Sequence, residues 1–152
     1  MYKKRILDAC CGSKMFWYDK NNPDVVFMDV RKERCTLCDG RTLEVNPDVI
    51  ADFRNIPFPD ETFYLVVFDP PHLIHAGEKS WVRKKYGILP SDWKSYIREG
   101  FCECKRVLKK NGILVFKWSE DQIKTSDVLK AIGENPYFGD KRSKTRWMFF
   151  MK

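Results

Sequence analysis

The chain has no long apolar run, only two histidines and only eight glycines among 152 residues. Nothing in it approaches the roughly 20 consecutive apolar residues that cross a bilayer as a helix, so no membrane partner is expected. Its opening, Met1-Tyr-Lys-Lys-Arg-Ile-Leu-Asp8, puts an acid where a secretory signal would carry its apolar segment. A cytoplasmic location is therefore expected. Internal repeats, low-complexity tracts and flexible linkers are missing too, which predicts a single domain over residues 1–152. An even mix of 43% hydrophobic and 32% charged residues is that of a globular chain. The net charge of +7 turns the expected partners towards polyanions.

Six cysteines remain after these exclusions (Cys10, Cys11, Cys35, Cys38, Cys102 and Cys104). In a chain with no export signal they read as thiols or metal ligands rather than disulfides. Cys35-Thr-Leu-Cys38 has the spacing of half a zinc site. The other half would have to be Cys102-Glu-Cys104, but an i, i+2 pair on a helix points apart. Asp69, His72 and His75 have ligand-like spacing as well, although prolines between Asp69 and His72 work against a shared geometry. The expectation is thiols and no metal.

The most informative stretch is Tyr64-Leu-Val-Val-Phe-Asp-Pro-Pro-His-Leu73. Its apolar run reads as a strand buried on both faces, the kind found inside a parallel sheet. Pro70 and Pro71 then end the ladder and stiffen the exit. Asp69 is left at the carboxyl end of a central strand, where open α/β sheets place ligands.

Other strands are predicted at residues 5–9, 25–29, 49–52, 113–118, 137–140 and 146–151. Cys10-Cys-Gly-Ser13 is a tight turn, residues 14–20 a short helix, and Asp29 ends the second strand about twenty residues later. Residues 31–45 read as charged and irregular. Residues 73–89 read as one long loop without an apolar period, the kind that carries function. Ser91-Asp92 is expected to cap a helix running to about Leu108. A further helix is predicted over 121–132. Seven strands, with helices interleaved among the first five and a closing hairpin, predict a doubly wound α/β fold. Its sheet is mostly parallel, Rossmann-like and seven-stranded, with an antiparallel C-terminal hairpin.

Asp8-Ala-Cys-Cys-Gly-Ser13, Asp29, Asp52 and Asp69-Pro-Pro-His72, in that order, resemble the class I S-adenosylmethionine-dependent methyltransferases. The whole chain is similar to a group of small, phage-associated methyltransferases. The resemblance implies S-adenosyl-L-methionine as cofactor. It also implies a turn around Cys10 and Gly12 beside the cofactor's amino-acid portion, with Asp8 near its ammonium. Asp29 is then expected on the ribose, and Asp52 with Phe53 at the adenine. Asp69-Pro70-Pro71-His72 resembles the (Asp/Asn/Ser)-Pro-Pro-aromatic motif of enzymes that methylate amino nitrogens of nucleobases. Acceptors on Asp69 and Pro70 would hold such an amine, whose lone pair is otherwise delocalised into the ring. His72 stands where the family usually has an aromatic ring, and it can stack or take a proton. Gly12 is the lone glycine of a turn where the family usually has two or three.

His75, Trp81, Arg83, Lys84, Lys85 and Tyr86, together with Lys79, read as a stacking-and-phosphate surface for DNA or RNA. A mobile lid with solvated charges is the alternative. Lys141, Arg142, Lys144 and Arg146 form a second basic cluster. Lys117, unexpected in a buried run, either reaches the cofactor edge or snorkels outward. With no room for a recognition domain, the target would be read by residues 73–89 or by a specificity-conferring protein partner. Methylation of a small molecule or protein, and a catalytically silent binding fold, remain the rival readings.

Overall fold

The structure, a computed structural model, describes residues 3–152. Its elements are, in chain order, β1 (Ile6–Asp8), β2 (Val25–Asp29), β3 (Glu33–Thr36), β4 (Thr42–Val45), β5 (Val49–Ile50) and β6 (Phe63–Phe68), then α1 (Trp81–Tyr86), α2 (Trp93–Val107), β7 (Leu108–Ser119), α3 (Thr125–Ile132), β8 (Phe138–Asp140) and β9 (Thr145–Met151). Seven strands make one sheet in the order β5-β2-β1-β6-β7-β9-β8. The first five of that order run parallel. β9 runs against β7, and β8 against β9. The expected seven-stranded mixed sheet is therefore present. None of the helices of the described residues is long and apolar enough to cross a membrane.

Strand order decides where ligands can go. The chain leaves β1 towards β2 and β5, then returns to β6 on the other side of β1. Loops after β1 and β6 therefore diverge and leave a crevice at the carboxyl ends of the strands.

The main core lies between one sheet face and the two longer helices. Leu7, Met28, Val66, Phe68, Leu114, Phe116, Trp118 and Phe150 pack there against Ile97, Phe101, Cys104 and Val107 of α2 and Val128 and Ile132 of α3. Each large side chain so buried contributes roughly 1.5–3 kcal/mol. Asp92 begins α2 with its carbonyl, which accepts from Tyr96 N at 3.2 Å, but its side chain makes no capping bond.

The helices predicted between the early strands are missing among the described residues. Residues 14–20 form turns rather than a helix. Gly12 and Lys14 adopt φ of +48° and +56°, left-handed angles that a right-handed helix cannot continue through. Asp19 and Asn22 then accept from backbone N–H groups two residues on. The aromatic residues of this segment act as plugs. Trp17 meets Phe27 edge-on at 5.3 Å, and Phe16 meets Trp147 at 5.3 Å. They close only one end of the second sheet face. Elsewhere on that face Ile113 and Met151 are each 42% exposed, so no helix covers them.

Three other expectations are corrected. Residues 31–45, read as irregular, contain the β3–β4 hairpin with its own small core of Leu37, Leu43 and Val45. Its tip, Cys38-Asp-Gly-Arg41, turns through Gly40 at φ +83°, with Asp39 bound to Arg41. The 73–89 stretch is not a bare loop, because it contains α1 and is closed at its base by Leu89 N donating to Leu73 O at 2.8 Å. The helix predicted from 121 begins at Thr125, since Ile123 O is engaged by Trp118 Nε1 and Gln122 points elsewhere.

Gly100 sets how closely α2 approaches the sheet. A Cβ at that position would stand 2.4 Å from Phe53 Cδ2 and 2.9 Å from Phe68 Cζ. Gly100→Ala is expected to lose about 1–3 kcal/mol through overpacking, offset only slightly by helix propensity. The denaturant midpoint of unfolding, compared with that of an exposed-site control such as Ser95→Ala, checks this.

Candidate active site

A cleft of about 190 Å³ opens over the carboxyl ends of β1, β2 and β6. Cys10, Gly12, Asp29, Asp52, Phe53, Asp69, Pro71, Lys85 and Tyr86 line it, together with Arg31, Tyr96 and Lys117. Residues far apart in sequence meet here because parallel strands deliver their ends to one edge.

The turn after β1 is fixed by its own hydrogen bonds. Cys10 N donates to Asp8 Oδ1 at 3.2 Å, Cys11 N to Met28 O at 2.8 Å, and Gly12 N to Asp29 Oδ2 at 2.9 Å. Those three amides are thus spent on holding the turn and not offered to a ligand. What the turn does offer is room, since nothing lies within 4 Å of where a Gly12 Cβ would stand.

Asp8 lies beneath this turn and is not among the cleft-lining residues. It is wholly buried, and its Oδ2 accepts from Trp17 Nε1 at 2.7 Å. Burial raises its pKa to about 7, opposed by the Trp17 bond and reinforced by the charge of Asp69. The thiol of Cys10, lining the cleft, is likewise pushed up by burial.

Asp29 ends β2 with both oxygens engaged. Besides Gly12, it accepts from Arg31 N at 2.9 Å and from Arg31 Nε at 3.4 Å. Arg31 reaches on to the last turn of α1, donating to Lys84 O at 2.6 Å and Lys85 O at 3.2 Å. A cation on carbonyls at a helix C-terminus is favourable, and it clasps α1 across the cleft. Asp52, past the end of β5, is held by Arg54 at 2.8 Å, and that bond keeps its carboxyl below the ordinary range. Phe53 is buried edge-on against Phe68 and Tyr96. Tyr96 completes the apolar wall, and burial pushes its phenol up to about 12.

On the opposite wall, Asp69 Oδ2 pairs with Lys117 Nζ at 3.1 Å. Burial raises the carboxyl while the lysine charge and hydrogen bond lower it. Pro70 is buried, and Pro71 lines the cleft and packs close to Gly87. The ring of His72 stands outside the cleft lining, 5.3 Å from Tyr86 and 6.3 Å from Trp118. Burial and then Lys117 lower its pKa, which favours neutral imidazole near pH 7.

Of the six residues expected on the substrate side, Lys85 and Tyr86 line the cleft. Lys85 also faces an adjoining groove lined by Lys14, Lys20 and Arg41. Trp81 is outside and exposed, with Lys85 Nζ 5.4 Å from its ring. Arg83 donates to Ala76 O at 3.3 Å, and Lys84 is solvent-facing. His75 is exposed and tied through its backbone to Gln122, whose side chain also accepts from Ile74 N at 2.6 Å.

Arg31, Tyr96, Gln122 and Trp17 were not expected here. Gln122 acts on backbone groups, and Arg31 reaches the carbonyls of Lys84 and Lys85 as well as Asp29, contacts that leave no mark in a sequence. Tyr96 reads as one more apolar position of α2. Among the described residues, no group of three or more His, Cys, Asp or Glu side chains converges as a metal site.

No protein-family model and no curated protein matches the chain. Solved structures do resemble it. The PH0226 protein of Pyrococcus horikoshii superposes with a TM-score of 0.61 at 15% identity, over 99% of this chain and 82% of that one. A SAM-dependent methyltransferase of Leishmania major gives 0.55 at 14% identity, over 99% of this chain and 65% of that one. The HI0767 protein of Haemophilus influenzae gives 0.51 at 15% identity, over 98% and 86%. At these identities the likeness establishes the fold, which is that of the class I methyltransferases.

The position of Asp8 has a measurable cost. Its folded pKa, about 7, exceeds its ordinary value of 3.8, so the folded state binds the extra proton between them. That contribution to stability is complete below about pH 4 and is lost as pH rises through 7, by at most ~1.4 kcal/mol per unit. Relative to wild type, Asp8→Asn should therefore gain stability as pH rises from 5 to 8. Chemical unfolding at each pH gives the difference, and a pH-independent difference would contradict this account.

Proposed function

We propose that the chain transfers a methyl group from S-adenosylmethionine to an exocyclic amino nitrogen of a nucleic-acid base. The observation that carries the reading is the meeting of Asp69 and Pro71 with Asp29, Asp52 and Phe53 at one cleft. A carboxylate on a stiff proline exit stands there opposite a polar, aromatic-walled pocket.

The residues present fit the cofactor. Asp29 keeps one lone pair, on Oδ2, beyond those given to Gly12 and Arg31, suited to a ribose hydroxyl. Phe53 and Tyr96 make an apolar wall for a flat heterocycle, with Asp52 at its lip to accept from an amino group. The space beside Gly12 accommodates the amino-acid portion. When bound, S-adenosylmethionine supplies an electrophilic methyl on a sulfonium and departs as the neutral thioether.

The protein's part is placement. Asp69 and the Pro70 carbonyl accept from the amine's N–H groups and turn its lone pair towards the methyl. The proton then shed by nitrogen goes to Asp69 or, by way of neutral His72, to solvent. Tyr86, its ring tilted beside that of His72, offers an aromatic surface for the base. The net charge of +7 and the groove of Lys14, Lys20, Arg41 and Lys85 suit a phosphate backbone.

Two measurements test this. In isothermal titration with S-adenosylmethionine, Asp29→Ala should weaken binding on the order of tenfold or more, equivalent to ~1.4 kcal/mol. Tritiated methyl transfer into host DNA, RNA or protein should label nucleic acid, and Asp69→Ala should cut it by roughly a hundredfold while cofactor binding survives. Label confined to protein or small molecules would overturn the acceptor assignment, and no cofactor binding would overturn the whole reading.

A further inference from the structure

Lys117 is an anomaly for its position. It lies in β7 between Phe116 and Trp118, both buried, in a register that places it beside Trp147 of β9. Its ammonium reaches across to Asp69 Oδ2 at 3.1 Å, and both side chains are largely withdrawn from water, at 19% and 15% exposure. Two aromatic rings back it, Phe16 at 5.4 Å and Trp147 at 5.6 Å from Nζ to centroid. Those rings meet each other edge-on. A carboxylate in front and an aromatic corner behind leave the ammonium little freedom.

We infer that Lys117 is the positioning residue of the acceptor site: by holding Asp69 Oδ2, it fixes the carboxylate so that Oδ1 is turned to the incoming amine. This rests on the methyltransfer reading above and deepens it. An amine can be steered by a carboxylate only if that carboxylate is anionic and stationary. At Asp69 neither condition comes free. Asp8 on β1 is a second buried carboxylate whose pKa feels Asp69, and the Cys10 thiol in the neighbouring turn feels both. His72 in the proline exit is held towards neutrality by burial first and then by Lys117. Lys85, from α1, lines the same cleft. Of the charged groups around Asp69 among the described residues, Lys117 is the one hydrogen-bonded to it. An isolated buried acid would take up a proton and become a donor, which presents the wrong partner to an N–H group.

The sign follows. Lys117 lowers the pKa of Asp69, and burial raises it. Without the lysine the carboxyl would protonate at higher pH, and transfer that needs the anion would fail earlier as pH falls. Lys117→Met should therefore move the acid limb of kcat upward by about one unit or more. The fall in kcat at pH 7 should be tenfold or more, with the acceptor KM and the cofactor Kd changed far less. Lys117→Arg, which keeps the charge, should recover part of the rate and return the limb towards wild type. An unshifted pH profile for Lys117→Met, or a loss expressed only in KM, would overturn the inference.

A second arm is independent of catalysis. Carbon-13 NMR titration of aspartate-labelled protein, with Asp69 assigned through Asp69→Asn, should show its midpoint rising in Lys117→Met. An unmoved midpoint rejects the role of Lys117. A raised midpoint in a protein that methylates no acceptor leaves the pairing intact and rejects the reading on which it was built.

Discussion

Parallel pairing of β1 with both β2 and β6 is the constraint from which the rest follows. Asp8 is level with Phe27 on one side and Val67 on the other. The three strands therefore stop at one edge within a residue or two, and their exits compete for the same space. Carboxylates at those exits, Asp8, Asp29 and Asp69, are crowded by register rather than by choice of loop. Like charges so close must be neutralised, buried in hydrogen bonds or paired. Each takes a different course. Asp8 has its pKa pushed up to about 7 by burial, Asp29 is spread over a turn amide and a guanidinium, and Asp69 has a lysine.

The economy of the fold is most evident on the face opposite α2. Where doubly wound proteins place helices between early strands, this chain uses a turn, a hairpin and a few aromatic rings. Trp17 and Phe16 do the work of a helix at the cleft end alone. Phe138, stacked on Phe149 at 4.7 Å yet two-thirds exposed, marks where that cover runs out. Stability is thus concentrated in the layer between α2, α3 and the sheet, while the cleft end is held by hydrogen bonds and ring contacts.

How far this was legible depends on what wrote the signal. Strands made of continuous apolar residues announce themselves, so β2, β6 and the centre of β7 were readable, as were Asp29 and Asp69 at the ends of the first two. The β3–β4 hairpin was hidden because Arg34, Thr36, Thr42 and Glu44 occupy its exposed face, while Glu33, opposite Val45, breaks the apolar period of the other. Residues 81–86 form a helix with none of its side chains buried, so no apolar stripe announces it. The helix read over residues 14–20 failed because Lys14 adopts a left-handed angle, which no side-chain pattern encodes. Lys117 was noticed as out of place, but its partner was not, since register between β6 and β7 is a property of the folded sheet. His72 was placed in the motif by spacing, whereas its ring lies with Tyr86 and Trp118 at the cleft's margin.

Phe53 belongs both to the main core and to the wall of the cleft, and Gly100 of α2 leaves it no slack. Occupancy and folding are then written in one side chain. A ligand seated on that ring would be felt as resistance to unfolding of α2, because anything that binds the folded form alone shifts the balance towards it. The reverse holds with equal force. A change on the buried side of α2, remote from any reacting atom, would be read out as a change in affinity. In this small protein the boundary between scaffold and binding surface passes through the middle of a residue.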